Sequence, residues 1–153
     1  MEAMRKLPIG IQTFEKLREG NFLYVDKTAY VYQLASTSTP YFLSRPRRFG
    51  KSLFITTLES YFQGRKDLFE GLAIEKLEKD WIAYPVLHMD LNAEKYDAPE
   101  RLLSMLNRYL TVWEETWGKN SCEETPSDRF AGIIRRAYER TGRPVVVLID
   151  EYD

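Results

Sequence analysis

Cysteine is nearly absent from this 153-residue chain, with Cys122 standing alone. One thiol cannot close an intramolecular disulfide or build a multi-cysteine metal site, which excludes a disulfide-stapled secreted domain and a zinc finger. Net charge is nearly absent too: 22 Lys and Arg stand against 23 Asp and Glu, leaving −1 and no field that demands nucleic acid. No apolar run reaches the roughly 18 to 20 residues that span a bilayer. Met1 to Gly10 lacks the apolar stretch of a signal peptide. Repeats and low-complexity segments are missing as well. These absences predict a reducing, cytoplasmic setting and one domain at most. What is present is apolar material for a core, 44% hydrophobic and 14% aromatic, under an ordinary mixed-charge surface of 29%.

Hydrophobic period and punctuation divide the chain near Thr37 to Pro40, giving an opening helical and extended segment over residues 1–38 and a larger α/β pattern over 39–153. In the opening, Phe14 and Leu17 predict a short helix stopped by Gly20. Phe22 to Val25 reads as extended and Lys27 to Leu34 as a second helix. Tyr41-Phe42-Leu43 is expected to be a buried strand feeding the polar turn Ser44 to Gly50. Phe54, Ile55, Leu58, Tyr61 and Phe62 then form the stripe of a helix packed on a sheet, ending near Gly64.

A further short helix fits Asp67 to Leu77, and Pro85 to Leu91 reads as a second buried strand. Asp97 is placed as the cap of the longest helix, with Pro99 in its first turn and Leu102, Leu103, Leu106, Tyr109, Leu110, Trp113 and Trp117 on one face. Thr125-Pro126-Ser127-Asp128 announces another helix, carrying Phe130, Ile133, Ile134, Ala137 and Tyr138 and ended by Gly142 and Pro144. Val145 to Ile149 has the β-branched composition of a strand buried on both faces, and it runs into Asp150-Glu151. Strands alternating with helices predict a parallel α/β sheet.

Two constellations carry chemistry. Arg45-Pro46-Arg47-Arg48-Phe49-Gly50-Lys51-Ser52 lies between a predicted strand and a predicted helix, the setting a phosphate-binding loop requires. Successive N–H groups and the helix N-terminus cradle a polyphosphate; Lys51 reaches the β and γ phosphates, and the Ser52 hydroxyl suits Mg²⁺. Arg45 occupies the place of the usual first glycine, so a residue with a Cβ makes the turn after the strand. The second constellation is the apolar strand ending in Asp150-Glu151, at the carboxyl edge where open parallel sheets bind ligands. It looks like a Walker B motif. Asp150 is assigned to the metal, and Glu151 to activating the attacking water. The nucleotide-contacting set is Arg47, Arg48, Phe49, Gly50, Lys51, Ser52 and Leu53.

With Leu7 to Gln12, Phe14, Tyr24-Val-Asp-Lys-Thr28, Phe42 to Leu53, Tyr61-Phe62 and Leu148 to Asp153, the chain resembles the AAA-ATPase-like proteins of bacteria and archaea. Their members often carry a C-terminal PD-(D/E)XK nuclease-like domain. The family's loop is similar to Arg-Pro-Arg-Arg-Phe-Gly-Lys-Ser, so Arg45 matches its variant. The resemblance implies a P-loop three-layer α/β/α fold with a mostly parallel sheet, ATP and Mg²⁺ as ligands, and hydrolysis through Gly50, Lys51, Ser52, Asp150 and Glu151. It also implies a 5-1-4-3-2 strand order in which a fourth strand separates the loop strand from the Asp-Glu strand. That strand, the usual sensor residue, the helical lid and any arginine finger would lie beyond Asp153. The expectation is therefore a partial domain, incomplete at its C-terminus, unstable alone, with exposed apolar surface and slow or absent turnover. Self-association or a nuclease-like module are the partners this suggests, and nucleic acid only through such a module.

Bland readings stand beside these. Arg45, Arg47 and Arg48 also suit a solvated loop. His88, between apolar neighbours, reads as structural. Asp26-Lys27-Thr28 either lines the nucleotide base or starts a helix with Asp26 as cap. Trp113 and Trp117 fit a core stripe, and Cys122 has no catalytic context. Two other function classes remain: a nucleotide-dependent binding switch without turnover, and a P-loop kinase, for which no acceptor pocket is evident.

Overall fold

A computed structural model describes residues 4–8, 13–37, 51–91 and 98–150. The chain divides between Ala83 and Tyr84 into two compact units. The expected strand Tyr41 to Leu43 and the loop Ser44 to Gly50 lie outside the described residues.

The first unit is helical among its described residues. It contains α1 (Phe14–Glu19), α2 (Thr28–Ala35), α3 (Lys51–Phe62), a 3₁₀ turn at Lys66–Phe69 and α4 (Ile74–Leu77). The short helix expected over Asp67 to Leu77 is therefore two pieces, parted around Gly71, whose φ of +79° suits glycine alone. Phe14, Val31, Leu68, Phe69, Leu72 and Ile74 form the core, with Tyr24, Leu53, Phe54, Leu58, Tyr61 and Trp81 packed against it. Fully burying a side chain the size of Phe14 or Phe69 stabilises by about 1.5–3 kcal/mol. Ring centroids lie 4.8 Å apart for Phe14 and Phe69, 5.2 Å for Phe69 and Trp81, and 5.8 Å for Tyr61 and Trp81. Among the described residues the α3 stripe packs on α1, α2 and the 3₁₀ turn, while the strand expected beside it lies outside the described residues. Gly64 turns the chain just past α3 in the left-handed region (φ +73°), where a Cβ would also sit 3.0 Å from the Trp81 carbonyl. Trp81 itself holds a left-handed backbone, φ +48°, unusual for so bulky a residue. Its ring packing and the Glu78 carboxylate, which accepts the amides of Lys79 and Asp80, keep it there.

The second unit contains β1 (Val86–Asp90), α5 (Pro99–Trp117), α6 (Pro126–Thr141) and β2 (Val146–Asp150). The two strands pair in parallel, with Val86 opposite Val146 and Asp90 opposite Asp150. This is the mixed α/β arrangement with a parallel sheet that alternating strands and helices predicted. Leu87, Met89, Leu110, Trp113 and Ile133 form the core, and Trp117 packs against it. The buried face of α5 is Met105, Leu110 and Trp113; Leu102 and Leu103 are 37% and 47% exposed, off the face assigned to them. The observed cap of α5 is Ala98, with Pro99 at its first position, and Asp97 is outside the described residues. α6 begins where expected: the Thr125 hydroxyl accepts the Asp128 amide at 3.1 Å, and Gly142 closes the helix in the left-handed region at φ +66°. Tyr138, placed on the apolar face, is exposed.

β2 departs from the expectation of burial on both faces. Val147 is 38% and Ile149 51% exposed, although Leu87 and Met89, their partners in register, are buried. Composition announces a strand, but which residues are covered depends on neighbours that composition does not name.

Candidate phosphate and carboxylate site

Lys51, Ser52 and Leu53 form the first turn of α3, a helix of 12 residues, and all three are half-buried. A helix that begins after the expected loop would have its N-terminus here, where the helix dipole favours anions. Arg47, Arg48, Phe49 and Gly50 lie outside the described residues.

Asp150 closes β2 at the carboxyl edge of the parallel pair and is only 2% exposed. Glu151 is outside the described residues. Beside Asp150, the pairing places Asp90 at the same level of β1. The ladder runs through the Pro85 carbonyl to the Val146 amide at 2.9 Å and the Leu91 amide to the Asp150 carbonyl at 2.8 Å. Odd-numbered residues of β1 therefore face β2, and the backbone of Asp90 faces the opposite edge. Tyr109 of α5 covers it there: its hydroxyl accepts the Asp90 N–H and donates to the Asp90 carbonyl, both at 3.0 Å. The apolar periodicity placed Tyr109 only on a helix face, and nothing in it announced this closure.

Lys51 and Ser52 belong to the first unit and Asp150 to the second. Among the described residues no group of three or more His, Cys, Asp and Glu side chains could hold a metal ion. No helix there is long and apolar enough to cross a membrane.

Of the two readings of Asp26-Lys27-Thr28, the structure shows a helix start, but the cap position is held by Lys27 and Asp26 stands one residue before it. Asp26 Oδ1 accepts the Thr28 amide at 2.9 Å and the Thr28 hydroxyl at 2.6 Å, and Oδ2 accepts the Ala73 amide at 2.7 Å. The buried Thr28 hydroxyl accepts the Ile74 amide at 3.1 Å. One turn at the start of α2 thus satisfies two amides at the start of α4, a contact across 46 residues that sequence spacing could not disclose.

No solved structure matches the chain. It is 44% identical over 151 residues to the "Uncharacterized protein in vnfD 5'region" of Azotobacter chroococcum mcd 1, a match covering 97% of this chain and 29% of that protein. The chain thus spans less than a third of the length of this relative. Residues 8–153 match the AAA-ATPase-like family, described as "Predicted AAA-ATPase", and the chain belongs to that family.

Proposed function

We propose that the chain carries the phosphate-binding loop and the Asp-Glu strand of a P-loop ATPase, binding Mg-ATP and hydrolysing it in the longer protein. The observation that carries this reading is the position of Lys51 and Ser52 as the opening residues of α3. Family membership supports a general ATPase-like function. In this reading residues 39–153 form the ATPase domain, of three-layer α/β/α type, and residues 1–38 an accessory segment.

Backbone N–H groups at the start of α3, with Gly50, hold the phosphates, and Lys51 neutralises the β and γ oxygens. Arg47, Arg48, Phe49 and Leu53 flank the nucleotide. Ser52 and Asp150 would hold Mg²⁺, which when bound offsets the charge of the phosphate oxygens. Glu151 takes a proton from the water that attacks the γ-phosphate in line. The cycle acts on a further module or a second copy, in the cytoplasm.

The test is calorimetric titration of Mg-ATP into the full chain and into its Lys51→Ala variant. Binding that disappears in the variant supports the reading. Equal heats from both, with each protein folded, would remove it.

A further inference from the structure

The first turn of α3 is tied to the N-terminal segment through one hydroxyl. A threonine hydroxyl can accept one hydrogen bond and donate another. Thr56 Oγ1 does both: it accepts the Phe14 amide at 3.1 Å and donates to the Leu53 carbonyl at 3.0 Å. Leu53 follows Ser52 directly, and its carbonyl also accepts the buried Thr57 hydroxyl at 2.6 Å. Side-chain hydroxyls that bond back to a carbonyl one turn earlier adjust the local bend of a helix. The carbonyl next to Ser52 is therefore held from two side chains, one of them joined to a different element.

That element is itself fixed. Phe14 is fully buried, with its ring against Phe69 and Tyr24. Along α1, Arg18 Nε donates to the Leu68 carbonyl at 2.8 Å, and Glu15 pairs with Arg65 at 3.2 Å. Nothing in this packing needs the Phe14 amide to reach α3; the amide has no partner within its own helix because it opens α1. Thr56 supplies that partner and passes the placement of α1 to the first turn of α3.

We propose that Thr56 is a positioning residue of the nucleotide site, coupling the Phe14 backbone to the Leu53 carbonyl and so orienting the turn that presents Lys51 and Ser52. The inference rests on the nucleotide-binding reading above. It predicts reciprocity, since a link that sets ligand affinity must also respond to the ligand. Occupying the site with Mg-ATP tightens the Phe14 to Thr56 bond.

The experiment titrates Mg-ATP into the full chain as wild type, Lys51→Ala, Thr56→Val and Thr56→Ser, and records thermal melting of each. Thr56→Val keeps the shape and deletes both hydrogen bonds. Its affinity falls roughly 3- to 10-fold, the effect of one hydrogen bond, at temperatures where it remains folded. Thr56→Ser keeps the hydroxyl and restores the affinity. A folded Thr56→Val variant that binds like wild type, or a Thr56→Ser variant as weak as Thr56→Val, overturns the coupling while leaving the nucleotide reading intact. Wild type binding no better than Lys51→Ala removes both. Hydrogen exchange at the Phe14 amide of the wild type provides an arm that needs no variant: slower exchange with Mg-ATP supports the link, and unchanged exchange in a protein that binds refutes it.

Discussion

Asp26 Oδ2 accepts the amide of Ala73, 47 residues away, while its other oxygen holds the first turn of α2. Thr28, fully buried, completes the clasp by accepting the Ile74 amide. A buried amide that loses its acceptor costs about 1–3 kcal/mol. Thr28→Val is therefore expected to lower the urea midpoint by that amount of stability, and Thr28→Ser by far less. Equal midpoints for Val and wild type would show that the clasp contributes nothing.

The same clasp sets a pH dependence. Burial would raise the Asp26 carboxyl, but hydrogen bonds from the Thr28 hydroxyl, the Thr28 amide and the Ala73 amide outweigh it and hold the group below its ordinary value. A carboxyl depressed on folding contributes its stability above the unfolded pKa, near about 4, and loses it as pH falls through the lower folded value. The contribution is small because the side chain is exposed. Melting curves taken downward from pH 6 are expected to fall less steeply for Asp26→Asn than for wild type in the acid range. Parallel profiles would count against this assignment.

Tyr109 closes the edge of β1 at Asp90 with two hydrogen bonds from one hydroxyl. Tyr109→Phe keeps the ring and opens that edge. Exchange of the Asp90 amide is expected to speed by roughly fivefold or more, since one hydrogen bond is worth about 1 kcal/mol, while amides bonded within the β1 to β2 ladder change little. Unaltered exchange at Asp90 would mean that something else shields it.

Gly132 lies under Glu123, whose carboxylate bonds Arg136 at 2.9 and 3.0 Å. A Cβ at position 132 would overlap Glu123 Oε2. Gly132→Ala therefore displaces the carboxylate and destabilises the wild type. In a Glu123→Ala background the same change gains helix propensity, about 1 kcal/mol, and stabilises. A sign that fails to reverse in the double-mutant cycle would contradict the contact.

In a chain competent for turnover, Glu151→Gln is expected to retain Mg-ATP binding and lose hydrolysis by about 100-fold or more, the range for a general base. Lys51→Ala is expected to lose binding itself. Loss of binding in both would break the division of roles between them.

The sequence was most legible where one local rule decides the outcome. Thr125 and Gly142 bracket α6 because a hydroxyl cap and a left-handed glycine act within a single turn. Phe14, Leu17 and Gly20 announced α1 as well, although Gly20 closes it at φ −80°, outside the left-handed region, and Thr13 makes no side-chain cap bond. The helix running on from Lys51, two of the three expected strands with their parallel pairing, and the family itself were also readable. The candidate site was legible as motifs only: Lys51, Ser52 and Asp150 take helix-start and strand-end positions, whereas their mutual arrangement is a matter of tertiary structure.

What the sequence alone determined is where most of the described helices and both described strands lie, and their parallel α/β class, because capping, periodicity and glycine geometry act over a few residues. Tertiary structure decided which apolar residues are covered, leaving Val147, Ile149 and Leu103 exposed while Met105 is buried. It also decided that Asp26 and Thr28 hold α4, that Tyr109 closes the β1 edge, and that Thr56 ties α1 to the turn beside Ser52. Each of these joins groups dozens of residues apart or on separate elements, and such a pairing is set by packing in three dimensions, to which local spacing is blind.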